Sequence, residues 1–446
     1  VGESDTIAAL ATAPGSAGVA IVRLSGPLAL PIACRLTGRE PSALPHGLLK
    51  FGALRDADGQ LIDRGYVVVL RAPHTFTGED VAELQVHGSP AGVARLLEVV
   101  AQLGARPALP GEFTLRAFEH GRLDLVQAEA LADLVSAHSE SARQAALQHL
   151  DGAFSQALAA LRTPILHALA EVEARLDFAT EADVGLLDRQ DLAHKLAELQ
   201  THVASLLGTA RAGRLRLQGA RAVLYGAPNA GKSTLLNALC GVDRALVDDR
   251  PGTTRDTIEV TTTPEGIRLT WIDTAGVRET DDPVERQGTA RARAEAAQAD
   301  VVLWIQDGHA PPSDPPPPAG QAVILTVRTK ADLPLHPDHG RHDHAVSVHA
   351  GLGIDALRQA VVQAVRDLGE LPRGQQVAIA RERHAEGLRQ ALDALERARL
   401  ALAQDEPLEL PAADLRDAAL ALDELTGSVT PDDVLGAIFS QFCIGK

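Results

Sequence analysis

The chain contains no methionine and only three cysteines in 446 residues. Cys34, Cys240 and Cys443 are an odd count with no paired spacing, which excludes a disulfide framework and fits a reducing cytoplasm. With Val1 at the start, the missing methionine points to an alternative start codon translated literally. No run of 18 or more apolar residues occurs, so no membrane-spanning helix is expected. The opening V-G-E-S-D-T-I-A-A-L carries acid and no basic region, unlike a secretory signal. Basic charge is also in deficit, with 42 Lys and Arg against 59 Asp and Glu and a net charge of −17. A protein that coats nucleic acid by bulk charge needs the opposite balance. A nucleic-acid substrate held at a local basic site, or by a partner, is compatible with it. The 45% apolar and 23% charged fractions are those of an ordinary soluble protein of two to four domains.

The texture of the chain changes three times. Up to residue 118, G-V-A-I-V-R-L, G-Y-V-V-V-L-R and V-A-E-L-Q-V-H-G read as strands, and residues 90–103 as a helix with Pro90 near its start and Gly104 past its end. From residue 119 to 216, Leu147, Leu150, Phe154, Leu158, Leu161, Ile165, Leu169, Val172 and Leu176 recur at helical spacing; Pro164 is expected to kink or split that helix. From 217 to 370, the buried runs A-R-A-V-L-Y, V-V-L-W-I and A-V-I-L-T-V alternate with helical segments, which means a parallel sheet covered on both faces. Helices return at 377–404 and 411–426, and T-P-D-D-V-L-G-A-I-F starts another. The expected fold is multidomain α+β and α/β: an N-terminal domain over 1–118, a discontinuous helical domain over 119–216 and 371–446, and an inserted P-loop domain over 217–370. Two conspicuous segments are read as surface. P-P-S-D-P-P-P-P (311–318) is a stiff loop between strands. His336, His339, His342, His344 and His349 lack a metal-binding framework of recognised spacing.

G-A-P-N-A-G-K-S (226–233) follows A-R-A-V-L-Y and opens the helical run T-L-L-N-A-L, the strand–loop–helix context that a phosphate-binding loop requires. Gly226 and Gly231 let the backbone amides of the loop, including those of Asn229, Ala230 and Thr234 at the helix start, face phosphate oxygens. Lys232 supplies charge at the β and γ phosphates, and Ser233 a hydroxyl for Mg²⁺. P-G-T-T-R-D (251–256), with Pro251 and Gly252, offers Thr254 as a second Mg²⁺ hydroxyl. In D-T-A-G (273–276), Asp273 would hold the Mg²⁺ shell and Gly276 would donate to the γ-phosphate, with Thr274 and Ala275 between them. T-K-A-D (329–332) supplies Lys330 and Asp332, whose carboxylate can accept from guanine N1 and N2. S-V-H-A (347–350), with Ser347 and Val348, reads as the loop at the base edge. The nucleotide is therefore GTP, and the order of elements resembles the translation-factor-like, Ras-like GTPases. Thr329 stands where that pattern has Asn. It keeps a hydroxyl but loses the amide that ties this loop to the phosphate loop, so weaker affinity is expected. Val277 stands where a Ras-like switch has its water-orienting Gln. Asn229 can ligate a monovalent cation or bond its own loop, and spacing alone does not choose.

D-T-I-A-A, G-V-A-I-V-R-L-S-G, T-G-E-D-V-A-E-L-Q, P-G-E-F-T-L-R-A-F, L-D-L-V-Q-A-E-A and the terminal F-C-I-G-K join the GTPase elements in a combination that resembles the MnmE (TrmE) family of tRNA-modification GTPases over the whole chain. The resemblance implies a cytoplasmic homodimer formed through folate-binding-like N-domains. It implies a tetrahydrofolate derivative, in formyl or methylene form, at Arg23, Glu83 and Arg122. It implies K⁺ in place of an arginine finger, held by Asn229 with Asp248, Arg250 and Thr253, and it puts Asp249 among the nucleotide-site positions. Glu285 falls at the position of a glutamate that supports water activation, and Arg255 and Arg278 at switch positions. The FAD-containing MnmG (GidA) protein is implied as a partner, giving a heterotetramer that adds an aminomethyl-type group to C5 of the wobble uridine of certain tRNAs. Cys443, with Lys446 beside it on the tail, is then a thiol that reaches the folate site as nucleophile or acid/base, or one incidental to a docking peptide. The competing class is a GTPase switch that binds RNA or ribosomes without modification chemistry.

Overall fold

The computed structural model describes residues 5–177, 188–241, 258–274, 283–312, 316–318, 320–372, 377–429, 432–440, 442 and 445, with backbone alone at 258, 283–289, 432–434 and 437. Two compact units share the chain. The first is Val1–Ala132, Leu150–Ser155 and Leu420–Lys446, and the second is Asp133–His149 and Gln156–Ala419.

The first unit is built on a six-stranded sheet of β1 (Ile7–Leu10), β2 (Ala17–Ser25), β3 (Lys50–Arg55), β4 (Leu61–Leu70), β5 (Val81–Gly88) and β6 (Arg106–Pro107), in the order β3-β4-β5-β2-β1-β6. Alternation along β2 and β5 sends Val22, Leu24, Leu84 and Val86 into the core. There they meet Ile32 and Leu36 of α1 (Ala29–Thr37) and Leu96 and Val100 of α2 (Pro90–Gln102). The expected helix 90–103 is present: the Ser89 hydroxyl accepts from the Gly92 N–H, and Pro90 opens the first turn. A second apolar cluster of the unit lies among α3 (Glu112–Glu119), α4 (Leu125–Val135) and α14 (Asp432–Phe439), where Leu125 and Ala128 bury against Phe439 and Phe442. Two glycines set this docking. Gly111, at φ 69°, leaves room for the Phe439 carbonyl, which a Cβ would approach to 2.5 Å. Gly445, at φ 98°, lies so close to the Leu10 carbonyl that a Cβ would stand 2.3 Å away.

A buried ionic network accounts for T-G-E-D and P-G-E-F as sequences. The Arg116 guanidinium donates to Asp5 (2.6 Å), Glu79 (3.1 Å) and Glu112 (3.2 Å), and Arg106 pairs with Asp5 and with Glu112 at 2.5 Å. The Ser25 hydroxyl donates to the other Glu79 oxygen at 2.7 Å. Burial works against the Glu112 carboxylate, but the Arg106 guanidinium, the Leu109 N–H and Arg116 outweigh it and hold its pKa below the ordinary value.

The second unit carries a second six-stranded sheet: β7 (Ala220–Tyr225), β8 (Ile258–Thr262), β9 (Leu269–Asp273), β10 (Val301–Asp307), β11 (Val323–Thr329) and β12 (His344–Ala345), in the order β12-β11-β10-β7-β9-β8. All pairings are parallel except β8 with β9. The continuous apolar strands follow from cover on both faces. Leu224, Trp271 and Leu303 pack toward α9 (Lys232–Cys240) and α11 (Ile354–Leu368), whereas Tyr225, Ile272 and Val302 pack toward α10 (Pro283–Gln298).

The helices α5 (Glu140–Leu150), α6 (Ala153–Asp177), α7 (Arg189–Leu207), α8 (Ala210–Gln218), α12 (Glu382–Ala403) and α13 (Glu409–Thr426) supply the expected helical texture. Pro164 does not split α6, which runs through it as one element. Phe154, Leu158, Leu161, Ile165, Leu169 and Val172 keep one face buried on both sides of the proline. That burial outweighs the roughly 3 kcal/mol cost of an internal proline. As expected, a late helix packs on an early one: α12 lies along α7, with Gln200 donating to Glu396 at 2.6 Å. Among the described residues no helix is long and apolar enough to cross a membrane. Two cysteines have packing roles: Cys240 is buried in the core under α9, and burial pushes the Cys34 thiol up from its ordinary pKa.

Candidate functional site

The carboxyl ends of β7, β9 and β11 bring three sequence motifs together. β7 ends at Tyr225, and Gly226 (φ 156°) passes so close to the Ile305 carbonyl of β10 that a Cβ would lie 2.2 Å from it. Only glycine fits there, and this sends the chain into a loop rather than along the sheet. Asn229 is exposed and takes a positive φ of 63°, and Gly231 (φ 92°) caps α9. The first-turn amides of α9 therefore face the space above the sheet. Lys232 is buried, and its ammonium donates to the Gly226 carbonyl at 2.9 Å and the Ala227 carbonyl at 2.7 Å. The loop is wrapped around its own cation.

Ser233 follows on the same turn, and its hydroxyl donates to the Asp273 carboxylate at the end of β9. Asp273 is buried, and its Oδ1 has no hydrogen-bond partner among the described residues. Next to it the Thr274 hydroxyl fixes the strand end on the Leu224 carbonyl at 2.8 Å. A buried carboxylate oxygen left open beside a hydroxyl is a hard-oxygen seat that fits Mg²⁺.

β11 delivers Thr329, which is buried and whose hydroxyl donates to the Ala230 carbonyl at 2.7 Å and lies 3.1 Å from the Gln306 carbonyl. The tie expected to vanish with the missing amide is thus made by the hydroxyl. Lys330 has a positive φ of 55°, and its ammonium pairs with Asp307 at 2.5 Å. Burial raises the Asp307 carboxyl, but Lys330 and the His309 N–H outweigh it and hold it below its ordinary value. Asp332 is exposed, and the Ser347 hydroxyl, followed by its own backbone N–H, holds its carboxyl below the ordinary range, so it is an anion at neutral pH. The Ala331 N–H donates to the Val346 carbonyl at 3.0 Å, and Ser347 and Leu352 exchange backbone bonds at 3.0 and 2.9 Å. These bonds hold S-V-H-A, with Val348 half-buried, against the T-K-A-D loop.

In the first unit, Arg23 and Glu83 stand opposite each other across β2 and β5 and join at 2.9 Å, with the Arg23 guanidinium 5.9 Å over the Phe113 ring. Arg122 lies past α3, its stem beside Gly78. Among the described residues no hydrogen bond joins it to the Arg23–Glu83 pair. Leu10, which Gly445 approaches, is adjacent to Ala9, and Ala9 pairs with Arg23.

Asp248, Asp249, Arg250, Pro251, Gly252, Thr253, Thr254, Arg255, Ala275, Gly276, Val277, Arg278, Cys443 and Lys446 lie outside the described residues, as does the side chain of Glu285. Sequence reasoning missed Asp307, the counter-charge of Lys330, although its place at the end of a buried strand is a usable signal.

Comparison with known proteins covers the whole chain. A family model described as the MnmE helical domain matches residues 125–443, and one described as the GTP-binding protein TrmE N-terminus matches residues 6–122. The tRNA modification GTPase MnmE of Thermus thermophilus is 44% identical over 446 residues, spanning 99% of each chain. Its counterpart from Laribacter hongkongensis is 43% identical over 458 residues, again 99% of each. That of Aromatoleum aromaticum is 44% identical over 453 residues, covering 99% of this chain and 98% of the relative.

Proposed function

Because the chain belongs to the MnmE (TrmE) family, we propose that it is a GTP-hydrolysing enzyme that, as a homodimer with an FAD-containing MnmG partner, modifies C5 of the wobble uridine of certain tRNAs. The group added is of the carboxymethylaminomethyl type, and a tetrahydrofolate derivative in formyl or methylene form donates the one-carbon unit. The observation that carries the GTPase part is the meeting of Lys232, Ser233, Asp273 and the Thr329–Asp332 loop at one end of one sheet.

In this reading Lys232 exchanges the Gly226 and Ala227 carbonyls for β- and γ-phosphate oxygens. Asp332 and the Ser347–Val348 loop select guanine. Ser233, Thr254 and Asp273 hold the Mg²⁺ shell, and Glu285 supports the attacking water. Asn229, with Asp248, Arg250 and Thr253, would hold K⁺, and Asp249, Pro251 and Gly252 would line the nucleotide site. Bound there, the metal ions supply positive charge against that developing on the phosphates. Hydrolysis rearranges the G-domain, and Arg23, Glu83 and Arg122 bind the folate. The seating of Gly445 against Leu10 supports the view that the tail carrying Cys443 and Lys446 serves that same site.

The test supplies bacteria lacking their own copy with this chain or its Cys443→Ser form, together with the cognate partner, and reads the wobble nucleoside of bulk tRNA by mass spectrometry. Restoration by the native chain alone supports a chemical role for the thiol, and restoration by both makes the tail a docking element. Restoration by neither, with both chains accumulated and hydrolysing GTP, overturns the modification reading in favour of an RNA-binding switch. Equal GTPase rates in K⁺ and Na⁺ would remove the K⁺ assignment.

A further inference from the structure

The histidine-rich segment read as surface folds back on the end of β10. The His336 N–H donates to the Gly308 carbonyl at 2.9 Å, and His339 Nε2 lies 2.9 Å from the Asp307 carbonyl and 2.7 Å from that of Ala310. A carbonyl can only accept, so Nε2 carries a proton, which makes Nδ1 of His339 the lone pair of the neutral ring. That Nδ1 is buried without a partner, and so are both ring nitrogens of His342. The two rings lie 5.4 Å apart between centroids, inclined at 56°.

Three buried polar atoms without partners in one spot call for a reason, and an ion shared by the two rings would engage one nitrogen of each. With metal–nitrogen bonds of roughly 2.0–2.1 Å, two imidazoles on one ion at open angles place their centroids about 5–5.5 Å apart. The observed spacing falls in that range. A histidine whose far N–H is pinned to a carbonyl is the usual posture of a metal ligand.

We propose that His339, through Nδ1, and His342 form a binding site for a late first-row divalent ion such as Zn²⁺. Among the described residues no group of three or more His, Cys, Asp or Glu side chains is arranged around a metal position. The site is therefore a two-histidine one, completed by water, and of moderate affinity. It hangs from Asp307, whose carboxylate holds Lys330, yet it does not rest on the reading of the nucleotide site.

The test uses the full chain, free of any affinity tag and stripped of metal, titrated with Zn²⁺ by calorimetry. Affinity for one ion per chain is expected to fall about tenfold or more in His339→Ala and in His342→Ala, but not in His194→Ala on α7. Retained GDP binding checks that the variants fold. In the native chain, nitrogen NMR of the imidazoles gives a second reading that needs no variant: the His339 Nδ1 and His342 signals should move on adding Zn²⁺. Isotherms unchanged by both substitutions, or imidazole signals that stay still, overturn the proposal.

Discussion

The hydroxyl of Thr329 donates to the backbone carbonyl of Ala230 at 2.7 Å, so one hydrogen bond joins the T-K-A-D loop to the loop before α9 across 99 positions of sequence. The Gln306 carbonyl lies within 3.1 Å of the same hydroxyl, and one hydrogen has to serve both. Replacing Thr329 by Val keeps the shape and leaves the Ala230 carbonyl unmatched in a buried place, at a cost of about 1–3 kcal/mol. GDP affinity, measured with a fluorescent analogue, is expected to weaken by roughly tenfold. Thr329→Asn, with two amide hydrogens, should bind at least as tightly as the native chain.

In the proposed reading, Asp332 selects the base by accepting from two guanine donors. Asp332→Asn turns half of that edge into a donor. GTP affinity should fall by roughly tenfold or more, while xanthosine triphosphate, with an oxygen at the matching position, gains. A competition titration of the two nucleotides reads the reversal; unchanged preference would move base recognition away from this loop.

The open Oδ1 of Asp273 leads to a metal prediction. Asp273→Ala removes the carboxylate beside Ser233, and GTP turnover should fall at least about a hundredfold. GDP binding, which in the proposed reading rests on Lys232 and the loop amides, should be less affected. Raising Mg²⁺ should recover activity in Ser233→Ala more readily than in Asp273→Ala.

Arg116 is buried against Glu79 and Glu112, so Arg116→Met leaves Glu79 without its cation while Glu112 keeps Arg106, at about 3–5 kcal/mol. Calorimetry should show the transition of the first unit moved down and that of the second unchanged. Glu112 adds a pH dependence. Its folded pKa is below its ordinary 4.5, so the folded state binds fewer protons than the unfolded. The stability it contributes is full above 4.5 and is lost as the pH falls below that value toward the folded pKa. In Glu112→Gln the first unit should be less stable at neutral pH and show a weaker loss on acidification.

What the sequence reveals of this molecule follows the range of its interactions. The phosphate loop is legible because its strand, glycines and helix start are consecutive, and α2 because Ser89, Pro90 and Gly104 punctuate it. β1, β3 and β6 are not, since β1 and β6 are too short to show a period and Phe51 on β3 is exposed. Pro164 does not end α6, because propensity is local while the buried face of the helix is set by tertiary packing. Of the site, Lys232, Ser233 and Asp273 could be placed by motif, but the substitution at Thr329 could not be evaluated without knowing that the Ala230 carbonyl faces it. The pairing of Arg116 with Asp5 and Glu79 likewise joins residues far apart in sequence.

The seating of Phe439, Phe442 and Gly445 on elements from the start of the chain has a consequence for its birth on the ribosome. About 290 residues lie between the two main parts of the first unit, and at about 5–20 residues per second their synthesis takes roughly 15 to 60 s. Through that interval Phe118, Leu125 and Ala128 have emerged without the aromatic rings that cover them. The early helices α3 and α4 must wait, with apolar surface open to chaperones and to neighbouring nascent chains, until one of the latest-made segments arrives to cover it.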